Sequence, residues 1–226
     1  MKIRKSYIVT VILFSLFLML TWMVLYVDVK PIGPEGSVIG LSTWNLYVFE
    51  KIGVHLIWYT ITDWLGLIPI LIAFGFAVLG FVQIIQRRSL IRVDKDILVL
   101  GFYFVLVISA YLFFEMFIIN YRPIIIMESL EASFPSSHTM IVLCIMGASI
   151  EQFWKRIRHP YLRWSVCILS GVIIAVTIIG RLLSGVHWIT DIIAGILLGA
   201  AFISLYISVV KEYNKLTIAK ENRYGS

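Results

Sequence analysis

Charge is scarce in this chain. Of its 226 residues, 14% are charged and 60% hydrophobic, with a mean hydropathy of +0.95; soluble domains carry about 25% charged residues. A globule of this size lacks the volume to bury so much apolar surface, so an ordinary water-soluble domain is excluded and lipid is the expected solvent. Cysteine is nearly absent. Cys144 and Cys167 both fall within apolar runs, where each reads as a small apolar side chain, and neither a disulfide nor a metal site is implied. Internal repeats and low-complexity tracts are missing too, which leaves one membrane domain over residues 1–226. No small-x-small cleavage site follows the first apolar run, so it reads as a membrane span rather than a signal peptide.

What the chain has instead is charge-free length. A helix needs about 20 apolar residues to cross the hydrocarbon. There are 22 uncharged residues between Lys5 and Asp28, 23 between Asp63 and Arg87, and 18 between Asp96 and Glu115. Further runs separate His138 from Glu151 (12 residues), Arg163 from Arg181 (17) and Asp191 from Lys211 (19). The expectation is an all-α bundle of six transmembrane helices over about 6–27, 64–86, 97–120, 136–154, 164–182 and 187–210.

Six spans put both termini on one side. Lys2, Arg4 and Lys5, then Arg87, Arg88, Arg92 and Lys95, then Lys155, Arg156, Arg158 and Arg163, then Lys211, Lys215, Lys220 and Arg223 all fall on that side, 15 of the 19 basic residues. The positive-inside rule makes it cytoplasmic. The net charge of +6 therefore reflects topology and anionic headgroups, with membrane lipids as partners and no nucleic acid. Trp44, Trp58, Tyr59, Trp64, Tyr121 and Trp188 on the outside, and Trp154, Tyr161 and Trp164 on the inside, read as interfacial belts. Between Pro31 and Asp63, the segment Trp44 to Val54 suits an amphipathic helix in the membrane plane. Gly195 and Gly199 form a G-x-x-x-G that suits close helix packing, within one chain or between two; the oligomeric state stays open.

Ionisable residues at span ends are costly and read as functional. Arg122, His138, Arg181, His187 and Asp191 all come to outer ends. In A-S-F-P-S-S-H-T-M, Pro135 and Ser136 open a helix whose start, N-capped by Ser136 or Ser137, offers unpaired N–H groups to an anion beside His138. In G-R-L-L-S-G-V-H-W-I-T-D, His187 and Asp191 are four residues apart. On a helix the carboxylate would accept a hydrogen bond from one ring nitrogen and leave the other as base, metal ligand or nucleophile. In N-Y-R-P, Arg122 offers a guanidinium fork suited to phosphate oxygens. Taken singly, these are a capped helix with an interfacial histidine, a His–Asp pair solvating a helix end, and a snorkelling cation. Together on one face they favour an oxyanion site.

The order Arg-Pro, Pro-Ser-x-His, then Arg181 through His187 to Asp191 resembles the type 2 phosphatidic acid phosphatase family over about residues 97–210. The resemblance implies a metal-independent, cofactor-free hydrolase acting on a lipid phosphate or diphosphate in the cell membrane. It assigns His187 as nucleophile of a phosphohistidine intermediate, Asp191 as its orienting carboxylate and His138 as acid to the leaving alkoxide. Arg122, Arg181, Ser136 and the backbone N–H of Ser137 hold the phosphoryl oxygens. Gly180 and Ser137 depart from the family's serine and glycine. The sharpest departure is Glu115, seven residues before Arg122, where the family places lysine. Seven residues return to nearly the same helical face, so Glu115 is expected to pair with Arg122 or Arg181. Asp63 is a second candidate modulator, as a partner for those arginines or as a helix cap. The rival reading is a degenerate relative that binds or transports lipid phosphate without hydrolysing it.

Overall fold

The computed structural model describes residues 2–224, with side chains from 7 to 215. The basic side chains of Lys2, Arg4, Lys5, Lys220 and Arg223 lie outside the described residues. The described residues form seven α-helices: α1 (Lys2–Tyr26), α2 (Ser42–Ile52), α3 (Leu56–Arg87), α4 (Lys95–Met116), α5 (Ser137–Arg156), α6 (Pro160–Leu183) and α7 (Ile189–Tyr224). Among the described residues, extended pairing is confined to isolated bridges such as Tyr121 to Ala132. Five helices, all but α2 and α5, are long and apolar enough to cross a membrane. The fourth expected span, 136–154, corresponds to α5, whose 20 residues carry Glu151, Gln152, Lys155 and Arg156 in its last turns.

The polarity of α5 follows from its position. It is the central helix, packed against α3, α4, α6 and α7, so its polar side chains meet protein. Gln152 donates to Tyr206 Oη at 2.7 Å, and Ser149 back-bonds to Ile145 O at 2.7 Å. The other helices turn apolar faces outward, with Leu71, Phe74, Phe102 and Met116 all strongly exposed, as a solvent of hydrocarbon dictates.

Small residues set the close approaches. A Cβ on Gly195 would lie 2.9 Å from Ser136 O, and one on Gly199 2.9 Å from Leu143 Cδ2. The G-x-x-x-G thus packs α7 on α5 within this chain. Gly180 does the same for α6 on α3, since its Cβ would meet Thr62 Cγ2 at 2.5 Å.

One end of the bundle gathers Tyr7 and Glu212 (2.6 Å), Arg156 with Asp96 (2.9 Å) and Asp94 (3.5 Å), and Arg87 with Asp94 (2.8 Å). Asp94 lies outside the helices here. Its partial burial acts to raise its pKa, but hydrogen bonds from Arg87 and Gln83 outweigh that and hold it below the ordinary value. At the other end lie α2 and the hairpin-like connection 117–136. The expected in-plane segment is helical as α2, with Asn45 buried and donating to Gly40 O (2.8 Å) and Thr190 Oγ1 (3.0 Å). Trp188 departs from the expected aromatic belt. It is 2% exposed, donates from Nε1 to Tyr121 O at 2.8 Å and packs on Phe49.

Candidate active site

Three backbone junctions build the site. The connection 117–136 folds back on itself through Arg122 N–H to Glu131 O (3.0 Å) and Ser133 N–H to Asn120 O (2.9 Å), which presents Arg122 and delivers the start of α5. Ser136 donates its N–H to Asp191 O at 3.0 Å, tying the start of α5 to the first turn of α7. Arg181, in the last turn of α6, is fully buried.

The sequence expectation for His187 and Asp191 needs correction. α7 begins at Ile189, so His187 precedes the helix and the two do not share a helical face. Asp191 instead closes the helix start, where its Oδ2 accepts the Trp188 N–H at 2.9 Å in the manner of a capping box. His187 Nδ1 stands 3.7 Å from that same oxygen, an ion-pair separation longer than a hydrogen bond. Both ring nitrogens of His187 and Oδ1 of Asp191 are buried without a well-aligned hydrogen bond, with the Ser133 backbone beside the imidazole and the Ser133 and Asn120 side chains beside the carboxylate. Burial, and then the Arg122 and Arg181 guanidiniums, push the imidazole well below its ordinary pKa, which keeps it neutral with a lone pair to use.

The arginines already have carboxylate partners, and one of these is Asp63, a candidate offered by the sequence. Arg181 Nη2 donates to Asp63 Oδ1 at 2.6 Å, with Tyr59 beneath the guanidinium at 4.9 Å. Arg122 Nε lies 2.9 Å from Glu131 Oε2. Glu115 pairs with neither. α4 ends at Met116, so the helix that would have carried Glu115 and Arg122 on one face stops between them. Glu115 is exposed and lines a small cavity with Tyr111, Ser133, Pro135 and Ser137. Asp63 is no helix cap, because α3 starts at Leu56. Its Oδ1 also lies 3.1 Å from His138 Nε2.

Ser136 occupies the N-cap position of α5, but its hydroxyl makes no cap bond. It is buried and unpartnered, as are Ser133 Oγ, Thr139 Oγ1, Arg181 Nε and Nη1, Arg122 Nη1 and Asn120 Nδ2. An unsatisfied buried polar group costs about 1–3 kcal/mol. So many at one end of the bundle, with the N–H groups of the α5 first turn at Ser137 and His138, make a set of donors suited to a multiply charged anion. His138 lies within electrostatic reach of His187, Arg181 and Arg122. The structure therefore brings His138, His187, Asp191, Arg122, Arg181, Ser136, Ser137 and Asp63 to one end of the bundle, and leaves Glu115 at its rim. Sequence reasoning missed Glu131, Asn120, Ser133 and Thr139. The last three stand within or beside the N-Y-R-P and P-S-S-H segments, and that adjacency was the available signal.

Comparison with known proteins follows the same lines. The lipid phosphate phosphatase delta of Arabidopsis thaliana is 23% identical over 97 residues, which are 42% of this chain and 23% of that protein; the match thus spans about a quarter of the relative's length. The crystal structure of a transmembrane PAP2-type phosphatidylglycerolphosphate phosphatase from Bacillus subtilis superposes with a TM-score of 0.63 at 20% identity, covering 90% of this chain and 96% of that one. That likeness establishes a shared transmembrane fold. The PAP2 superfamily model matches residues 71–215, a stretch that holds every motif above except Asp63, and the chain belongs to that superfamily.

Proposed function

We propose that this protein is a membrane lipid phosphate phosphatase that works without a metal, through a phosphohistidine on His187, at the extracytoplasmic face of a six-span bundle with cytoplasmic termini in the cell membrane. The observation that carries this reading is the convergence of two guanidiniums, two imidazoles and a helix start, from segments far apart in the chain, around buried donors with no protein partner. Phosphoryl transfer needs this more than elaborate covalent machinery: in-line positioning and positive charge on the equatorial oxygens. Arg122, Arg181, Ser136 and the Ser137 N–H bind the phosphoryl oxygens. Neutral His187 attacks phosphorus while Asp191 supports the cation that forms. As the P–O bond breaks, His138 gives its proton to the departing alkoxide. Water then attacks the phosphohistidine and returns a proton to His138.

A lipid substrate is supported by a groove of about 870 Å³ between α3 and α4, floored by Ile141 and Ile145 of α5 and lined almost wholly by apolar atoms. Tyr111 is common to this groove and to the small cavity at Glu115 and Ser137, so an acyl or prenyl chain can run from lipid to the rim of the site. The family relationship and the activities of the similar proteins point the same way. Release of inorganic phosphate from phosphatidic acid, phosphatidylglycerol phosphate and polyprenyl diphosphate by the detergent-purified protein tests the reading. Turnover on at least one, abolished in His187→Ala, is expected. Binding without phosphate release from any of them would replace hydrolysis with lipid phosphate binding or transport.

A further inference from the structure

Asp63 lies on α3, eight positions before the stretch that matches the PAP2 model, and none of the phosphatase motifs includes it. Yet one of its oxygens contacts two proposed machinery residues at once. Oδ1 accepts from Arg181 Nη2 at 2.6 Å and lies 3.1 Å from His138 Nε2. Its neighbours are shaped for this. Gly180, just before Arg181, lets α6 close on Thr62, just before Asp63. Gly66, one turn beyond Asp63, faces the His138 ring, where a Cβ would make ordinary van der Waals contact with Cδ2 at 3.4 Å. The charged and titratable groups facing His138 are Asp63 from α3, Arg181 from α6, His187 from the α6–α7 connection and Arg122 from the connection before α5. Asp63 is the one anion among them.

We propose that Asp63 is a positioning residue whose Oδ1 stands in for a phosphoryl oxygen between turnovers: it occupies the place beside Arg181 that substrate takes, and it keeps the proton on Nε2 of His138, loaded for the leaving alkoxide. A carboxylate oxygen 3.1 Å from Nε2 selects the tautomer with hydrogen on that nitrogen and opposes the burial and the cationic neighbours that disfavour the imidazolium. When the phosphoryl group seats on Arg181, Asp63 yields that position. The proton passes from Nε2 to the alkoxide as the P–O bond breaks, the attacking water restores it, and Asp63 remains a carboxylate throughout. The role carries two opposite consequences. Removing the charge deprives His138 of its proton-holding partner, and it also removes an internal anion that competes with phosphate for Arg181.

This rests on the reading of His138 as acid, so the test runs Asp63→Asn beside His138→Ala, with a lipid phosphate, an aryl phosphate of acidic leaving group and inorganic phosphate as product inhibitor. Asp63→Asn is expected to lower kcat about 10- to 100-fold on the lipid phosphate and less than about tenfold on the aryl ester. The basic limb of its pH profile should move to lower pH, and inhibition by inorganic phosphate should tighten several-fold. Asp63→Ser, which also lacks the charge, should share the tightening, and unchanged melting in detergent separates these effects from misfolding. Weaker phosphate inhibition in both variants, with equal losses on the two substrates, would overturn the proposal while His138→Ala kept its leaving-group dependence. Equal losses on both substrates in His138→Ala would overturn the acid assignment and this proposal together.

Discussion

At the scale of single residues, the pocket is a set of positive groups held apart by two carboxylates. Arg181 and Arg122 are each paired, to Asp63 and Glu131, while keeping further N–H groups unpartnered. A guanidinium does this because its planar fork holds several N–H donors in fixed directions, more than one carboxylate oxygen takes up, which a lysine ammonium on a flexible stem does not. Arg181→Lys is therefore expected to cut kcat/KM at least about tenfold with the fold retained, checked by kinetics beside a thermal melt. Asp191→Asn should lower kcat strongly while leaving the Trp188 N–H cap available to the amide oxygen, so a large loss in kcat with little change in melting temperature would place the effect on His187. Glu115→Lys is the informative gain. Glu115 has no ion pair and sits at the rim near Ser137, so a lysine there should tighten inhibition by phosphate; a sharp loss of turnover would show that the carboxylate has its own task. The histidines, arginines and Asp191 were legible in the sequence because ionisable groups at span ends are rare. Glu131 and the bridging contact of Asp63 were not, because they depend on which distant segments touch.

At the scale of elements, the helices follow from charge-free runs, and their misjudged ends have local causes. α3 begins at Leu56 rather than near 64 because Asp63, which looked like a boundary, is neutralised by Arg181 and His138 and can lie inside a helix. α4 stops at Met116, with Phe117 as its C-cap, four residues before the expected span end at 120. The close approach of α6 to α3 hinges on Gly180, a departure from the family's serine that the structure accounts for by space: a Cβ would press on Thr62 and Trp58. Overpacking of this kind typically costs about 1–3 kcal/mol. Gly180→Ala should lower the melting temperature and, by separating Asp63 from Arg181, reduce turnover more than a control alanine at Gly171, which has open space.

At the scale of the whole molecule, the bundle has an apolar core, outer faces that are apolar too, and ionisable residues collected at its two ends. One end carries the Asp94–Arg156–Arg87 cluster, the other the Arg181–Asp63–His138 cluster. Basic loops near the first end argue for cytoplasm there. On that orientation, a cysteine placed at Ser129 should react with an impermeant maleimide added outside intact cells, and one at Ser89 only after permeabilisation. The reverse pattern would invert the topology and place the Arg181–Asp63–His138 cluster in the cytoplasm.

The central claim is transfer of the phosphoryl group to His187. Rapid quenching of turnover with a lipid carrying radiolabelled phosphate tests it most directly. Acid-labile, alkali-stable label on the peptide containing His187, lost in His187→Ala together with activity, is the predicted result. Label on any other residue, or steady phosphate release by His187→Ala, would contradict it.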